Sequence, residues 1–175
     1  MQWRTHPGLQ GKLHPDHPDD LQVIVHDGGP RVTQARPEAV WARITAFDGR
    51  LFTGTVLNAP TQLVSIRQGQ SVRFLVDAAT GHAAMVTDKY LREKGAWKIG
   101  GCAQCGFAEL FDAPSDLIRA TFSNLPPGAV PEAFTAFCPI CHGVQTIEAV
   151  EPEEPPAPPP AQRPAAAQRA WWKFW

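Results

Sequence analysis

Four cysteines stand in two pairs, Cys102-Ala-Gln-Cys105 and Cys138-Pro-Ile-Cys141, and the chain has no others. A Cys-x-x-Cys turn sets two sulfurs on one side of a tight knuckle. Two such knuckles supply the four thiolates that Zn²⁺ takes at structural sites. Protein then fills every coordination position and leaves none open for catalysis. Gly106 follows the first pair, where the turn calls for positive φ. His142 follows the second pair and reads as a solvent-facing knuckle residue, not a fifth ligand. Three other chemistries share parts of this pattern. Cys138-Pro-Ile-Cys141-His142 matches the c-type haem attachment sequence, but that reaction occurs outside the cytoplasm and leaves the first pair without a role. Disulfides need an oxidising compartment. A thioredoxin-like redox pair opens a helix in a βαβ unit, whereas both pairs here lie between β-like runs. The expected cofactor is structural Zn²⁺ on Cys102, Cys105, Cys138 and Cys141.

The flanking segments must hold the knuckles. Phe107-Ala-Glu-Leu-Phe111 follows the first, Phe134-Thr-Ala-Phe137 leads into the second, and Val144-Gln-Thr-Ile-Glu-Ala-Val150 follows it. All three read as strands. The gap from Cys105 to Cys138 is 32 residues, against about 15–20 in common two-pair sites. The excess is placed in 113–132, where Pro114, Pro126-Pro127-Gly128 and Pro131 suggest an insertion between two strands. Strand, knuckle, strand, loop, strand, knuckle, strand is the plan of a zinc ribbon, and residues 97–150 resemble that family.

No other constellation of catalytic type occurs. The chain lacks Gly-x-Ser-x-Gly, a phosphate loop, His-Glu-x-x-His and Gly-x-Gly-x-x-Gly. The zinc-deaminase pattern fails at His82-Ala-Ala and at the misplaced proline of Cys138-Pro-Ile-Cys141. His14, His17 and Asp20 offer metal-ligand types, but the two intervening prolines keep that stretch extended and splay its side chains. A non-enzymatic protein is expected.

Ahead of the ribbon, residues 21–87 read as β-structure. Leu21-Gln-Val-Ile-Val-His26 is a short strand. In 40–47, Val40, Ala42, Ile44 and Ala46 alternate with Trp41, Arg43, Thr45 and Phe47. Asp48-Gly49 suits a two-residue hairpin turn into 50–57, and Gly54 suggests a bulge or bend there. Gln68-Gly69-Gln70 turns the chain into Ser71-Val-Arg-Phe-Leu-Val76. Short strands at close spacing imply a small barrel or curled sheet. Glu38-Ala-Val-Trp41, Asp48-Gly49, Phe52-Thr-Gly54, Asn58-Ala-Pro60 and Gln68-Gly69-Gln70-Ser-Val-Arg-Phe74 together resemble the uncharacterised bacterial YegJ-like family over about 21–76. Gln70 stands where that family usually carries Asp. The resemblance implies a β-rich domain and brings no functional residue with it. Residues 87–94 form the one helical stretch, capped by Thr87 or Asp88 and stopped at Gly95, with Tyr90, Leu91 and Trp97 docking it between barrel and ribbon.

Charge restricts the partners. Net charge is −1. The ribbon, 95–150, sets Lys98 and Arg119 against Glu109, Asp112, Asp116, Glu132 and Glu148, and four thiolates on Zn²⁺ add two negative charges. Phosphates would be repelled, which argues against nucleic acid, although a nucleic-acid-associated zinc ribbon is the alternative class. The start of the chain has no apolar core of a signal peptide, and reduced cysteines fit the cytoplasm.

Residues 151–170 hold seven prolines, six alanines and three glutamates. Such composition predicts a disordered, polyproline-like spacer. Trp171, Trp172, Lys173, Phe174 and Trp175 follow it. On a helix the four aromatics share one face, with Lys173 and Arg169 opposite. Tryptophan concentrates at binding hot spots, so the expected partner is another protein, with a membrane surface or the chain's own barrel as other acceptors. The sequence reads as all-β: a polar N-terminal segment (1–20), a barrel-like antiparallel domain with a short helix (21–94), a zinc ribbon (95–150), a Pro/Ala-rich linker (151–170) and an aromatic motif (171–175). Its function reads as a cytoplasmic interaction module, of adaptor or immunity type.

Overall fold

The structure is a computed structural model and describes residues 2–126 and 128–150. The spacer and the aromatic motif expected in 151–175 lie outside the described residues. Eight strands and two short α-helices form the rest: β1 (Asp20–Val25), β2 (Glu38–Phe47), β3 (Phe52–Val56), β4 (Ser71–Val76), β5 (Ala83–Met85), α1 (Asp88–Glu93), β6 (Trp97–Ile99), α2 (Pro114–Thr121), β7 (Ala133–Phe137) and β8 (Val144–Ala149). The fold is all-β, as its alternating apolar pattern requires.

Strands β1 to β5 close into a barrel in sequence order. Neighbours run antiparallel, and β1 meets β5 in parallel at Ile24 and Ala84 to complete it. From β2 the inward residues are Val40, Ala42 and Ile44, as the alternation expects, but the register shift after Ile44 leaves Ala46 exposed and turns Phe47 against the core, which Phe52, Val56, Val72 and Phe74 complete. Phe47, Phe52 and Phe74 stack in series, with centroids 4.3 and 5.3 Å apart.

Several expectations change. The loop after β2 has four residues, not two: Phe47 pairs with Phe52, and Asp48 Oδ1 accepts the N–H groups of Arg50 and Leu51. The bulge lies in β2 between Ile44 and Ala46, opposite Gly54 rather than at it. A Cβ at Gly54 would stand 3.1 Å from Arg43 O and 3.2 Å from the Phe74 ring, so this glycine permits close packing. The segment before β1 is more than polar: Trp3 and Leu9 join the barrel core, and Trp3 Nε1 donates to Asp19 Oδ1 at 2.9 Å.

Beyond the barrel, β6, β8 and β7 form a three-stranded antiparallel sheet in that order. A second core joins it to the barrel through Leu75, Val86, Tyr90, Leu110, Leu117, Phe134, Ala136 and Ile147. Helix α1 begins with Thr87 Oγ1 accepting from Tyr90 N at 3.1 Å. It does not stop at Gly95; its end tightens into a 3₁₀ turn, Lys94–Ala96, that feeds β6. Tyr90 is fully buried, and Leu91 and Trp97 pack against the same core, which is the docking expected of this stretch.

Candidate metal centre

The first knuckle hangs from β6 and the second joins β7 to β8, so one sheet delivers all four cysteines. The knuckles have the same internal bonding. Gly106 N donates to Cys102 O at 2.8 Å, and His142 N donates to Cys138 O at 3.0 Å. Both residues after the pairs have positive φ, 80° at Gly106 and 63° at His142, and His142 is exposed, as expected of a knuckle residue. Cys102 N bonds Phe107 O at 2.9 Å, and Cys138 N bonds Gly143 O at 2.6 Å. Ala103 N reaches across to Val144 O at 3.1 Å, tying one knuckle to the strand that leaves the other. Gly143 is required by proximity: a Cβ there would stand 2.7 Å from Cys102 Sγ.

The four Sγ atoms lie within 4.8 Å of one another. Cys102 and Cys141 sulfurs are 3.4 Å apart, and those of Cys105 and Cys138 3.7 Å. Both contacts cross between knuckles and exceed the roughly 2.05 Å of a disulfide. A tetrahedron with metal–sulfur bonds of about 2.3 Å has sulfur–sulfur edges of about 3.8 Å. The donor set and its spacing fit a metal ion, and these four residues are the one such cluster among the described residues.

Surroundings set the thiol chemistry. Burial pushes the Cys102 thiol up, but the N–H groups of Cys105 and Gln104 and the neighbouring sulfurs outweigh it and bring it down to about 6. Gln104 N lies 3.4 Å from Cys102 Sγ. Burial dominates at Cys138 and raises it, against N–H groups from Cys141 and Ile140. A cation bound between them would deprotonate such thiols outright. The cage also touches the barrel: Cys102 and Cys138 pack with Ala84, Phe107 and Phe111, and Ile24 of β1 borders them.

The segment after the first knuckle departs from the expected strand. Residues 107–111 carry no strand, and side chains satisfy their backbone instead. Gln145 of β8, fully buried, donates Nε2 to Phe107 O at 2.8 Å and to Glu109 O at 3.3 Å. Asp77 at the end of β4 accepts from Ala108 N at 3.1 Å. The Tyr90 hydroxyl donates to Glu109, which also takes Lys94 Nζ at 2.6 Å. None of these roles was visible in the sequence, because each pairs residues far apart in the chain.

The proposed insertion, 113–132, opens with α2, which the prolines had concealed. Pro114 holds its first position, where no N–H is needed, and Leu117 points into the seam core. Ser115 N and Oγ bond Glu93 at 2.9 and 2.8 Å, and Lys89 bonds Asp116 at 2.5 Å, so α2 is clamped to α1. His14 and His17 do approach, with ring centroids 5.0 Å apart, but Asp20 is held by Arg43 at 2.8 and 3.0 Å and joins no ligand set.

Among the described residues, no helix is long and apolar enough to cross a membrane. Comparisons with protein-family models, curated proteins and solved structures find no match to this chain.

Proposed function

We propose that this chain is a non-enzymatic cytoplasmic interaction module, of adaptor or immunity type. Its ribbon is built on one structural Zn²⁺, and it docks a partner protein through Trp171, Trp172, Lys173, Phe174 and Trp175. The observation that carries the zinc reading is the closed cage of four sulfurs within 4.8 Å. Thiolates select soft or borderline cations, and tetrahedral four-sulfur sites are those of zinc and iron–sulfur centres. One ion bound by two separated knuckles ties them to each other, so its binding free energy becomes folding free energy. The ion is a staple, which leaves recognition to the surface and to the aromatic motif.

The docking reading rests on composition: four aromatics in five residues, after a spacer with seven prolines. The acidic ribbon keeps nucleic acid behind protein as a partner. Capture from a lysate with the full chain and with a variant ending at residue 170 tests it. A partner identified with the first and lost with the second supports docking; equal capture by both refutes it.

A further inference from the structure

A cavity of about 300 Å³ opens where the ends of β1 and β5 meet the segment that leads into α2. His26, Asp27 and Gly28 line it after β1, Met85 and Thr87 line it before α1, and Phe111, Asp112 and Asp116 line it from the ribbon. Among the described residues its walls carry three carboxylates and no lysine or arginine. Two of the carboxylates have partners suited to them. Asp116 pairs with Lys89, and Asp27 accepts from Val64 N at 3.1 Å and from the Ser65 hydroxyl.

Asp112 is different. It is 9 % exposed, and no cation pairs with it among the described residues. Its Oδ2 accepts Gly29 N–H at 2.8 Å. Among the described residues nothing bonds its Oδ1, and the one fully sealed side-chain atom without a partner is Gln145 Oε1, so Asp112 Oδ1 is not sealed off. That oxygen lies on the Gly28 side, where a Cβ added to Gly28 would stand 2.8 Å from it, and Gly28 lines the same cavity. A buried carboxylate without a counter-charge is costly, and burial holds this group above the ordinary carboxylate range, with the Gly29 N–H opposing and Asp116 adding to the rise. His26 supplies no positive charge. Its Nε2 lies 3.0 Å from Met85 O and its Nδ1 accepts from Gly28 N at 3.1 Å, which fixes a neutral ring, and that ring stacks on Phe111 at 3.9 Å.

We infer that this cavity binds a guanidinium group, with Asp112 Oδ1 as its anchor and Asp27 at its rim. A guanidinium presents several N–H donors in one plane and can meet both carboxylates, while Met85 and Phe111 accept an alkyl stem. The group could come from a free arginine-type molecule or from an arginine side chain of a partner protein. The site does not depend on residues 171–175, so its failure and the failure of the docking reading are separable.

The test is an amide NMR titration of the zinc-loaded full chain. The probes are Nα-acetyl-arginine methylamide, its citrulline counterpart and the peptide Gly-Gly-Arg-Gly-Gly. The arginine amide should shift the Gly28, Gly29 and Asp112 amides saturably, with Kd on the order of 1 mM. Citrulline, isosteric and uncharged, should not. Asp112→Asn keeps an oxygen for Gly29 N–H and should weaken binding at least about tenfold. Asp27→Asn, on the more exposed wall, should weaken it less and serves if the first variant fails to fold. Tighter binding of the peptide than of the amide assigns the site to a partner's arginine, and the reverse assigns it to a free molecule. Absence of saturable shifts, equal binding of citrulline, or unchanged affinity in a folded Asp112→Asn or Asp27→Asn protein would overturn the assignment.

Discussion

Gly106 and His142 occupy the same place in the two knuckles, each with positive φ and each donating its N–H to the carbonyl of the first cysteine of its pair. One position carries the residue that left-handed backbone favours, and the other carries a side chain that must bear the strain. His142→Gly should therefore stabilise the protein, by roughly 1 kcal/mol, without loss of metal. Gly106→Ala should destabilise it by a similar amount. Thermal denaturation of both variants beside the parent checks the pair. Equal shifts in one direction would mean that the knuckles are not equivalent.

Tyr90 stands where α1, the 107–111 segment and the barrel meet. Its hydroxyl donates to Glu109 and accepts from Leu110 N at 3.4 Å. Burial, then the Glu109 charge, drives its pKa up, so it stays a neutral donor across the physiological range. Tyr90→Phe keeps the packing and leaves Glu109 with Lys94 alone. A loss of about 1–2 kcal/mol in urea denaturation is expected. No loss would show that the seam does not use the hydroxyl.

His26 gives the fold a pH limit. Burial lowers its pKa to about 4, against smaller raising effects of Met85 O and Asp27. Above pH of about 6.5 the ring is neutral whether the chain is folded or unfolded, and its contribution is complete. As pH falls from there toward 4, the unfolded chain takes up a proton that the folded chain resists, and up to about 3 kcal/mol is lost. His26→Asn removes the titration and retains an acceptor for Gly28 N. The difference in stability between parent and variant should shrink between pH 6.5 and 4; a constant difference would contradict the buried neutral ring.

Much of this was legible in the residues. The two cysteine pairs announced their own cluster, because Cys-x-x-Cys encodes its turn locally. Alternation named β2, the turns at Asp48-Gly49 and Gln68-Gly69-Gln70 bracketed β3 and β4, and of the two capping candidates, Thr87 and Asp88, it is Thr87 that caps α1. What stayed hidden was non-local. Residues 107–111 have the composition of a strand, yet Gln145 and Asp77 take up their backbone groups and hold them out of the sheet. Pro114 reads as a loop residue although it opens α2, and the clamps to Lys89 and Glu93 together with burial of Leu117 hold so short a helix. The short β5, Ala83–Met85, has no pattern of its own and exists because β4 and β1 flank it.

Removal of residues 171–175 should leave the melting temperature nearly unchanged, since a docking motif carried on a polyproline-like spacer requires no contact with barrel or sheet. The same removal should abolish partner capture, as loss of a buried tryptophan anchor costs about 2 kcal/mol or more. Flotation of the isolated tail peptide with liposomes distinguishes a lipid acceptor from a protein one. A fall of many degrees on truncation would make the tail part of the fold instead.

The central claim is that Cys102, Cys105, Cys138 and Cys141 hold one structural Zn²⁺. Cys138→Ser removes a fully buried sulfur and should cost the three-stranded sheet and its knuckles their metal and their fold. Zinc-edge X-ray absorption on the purified full chain, with metal content measured on the same sample, tests the claim most directly. Four sulfur scatterers at about 2.3 Å and one zinc per chain are predicted. A folded, metal-free protein, a shell containing nitrogen or oxygen, or a haem Soret band in that sample would contradict it.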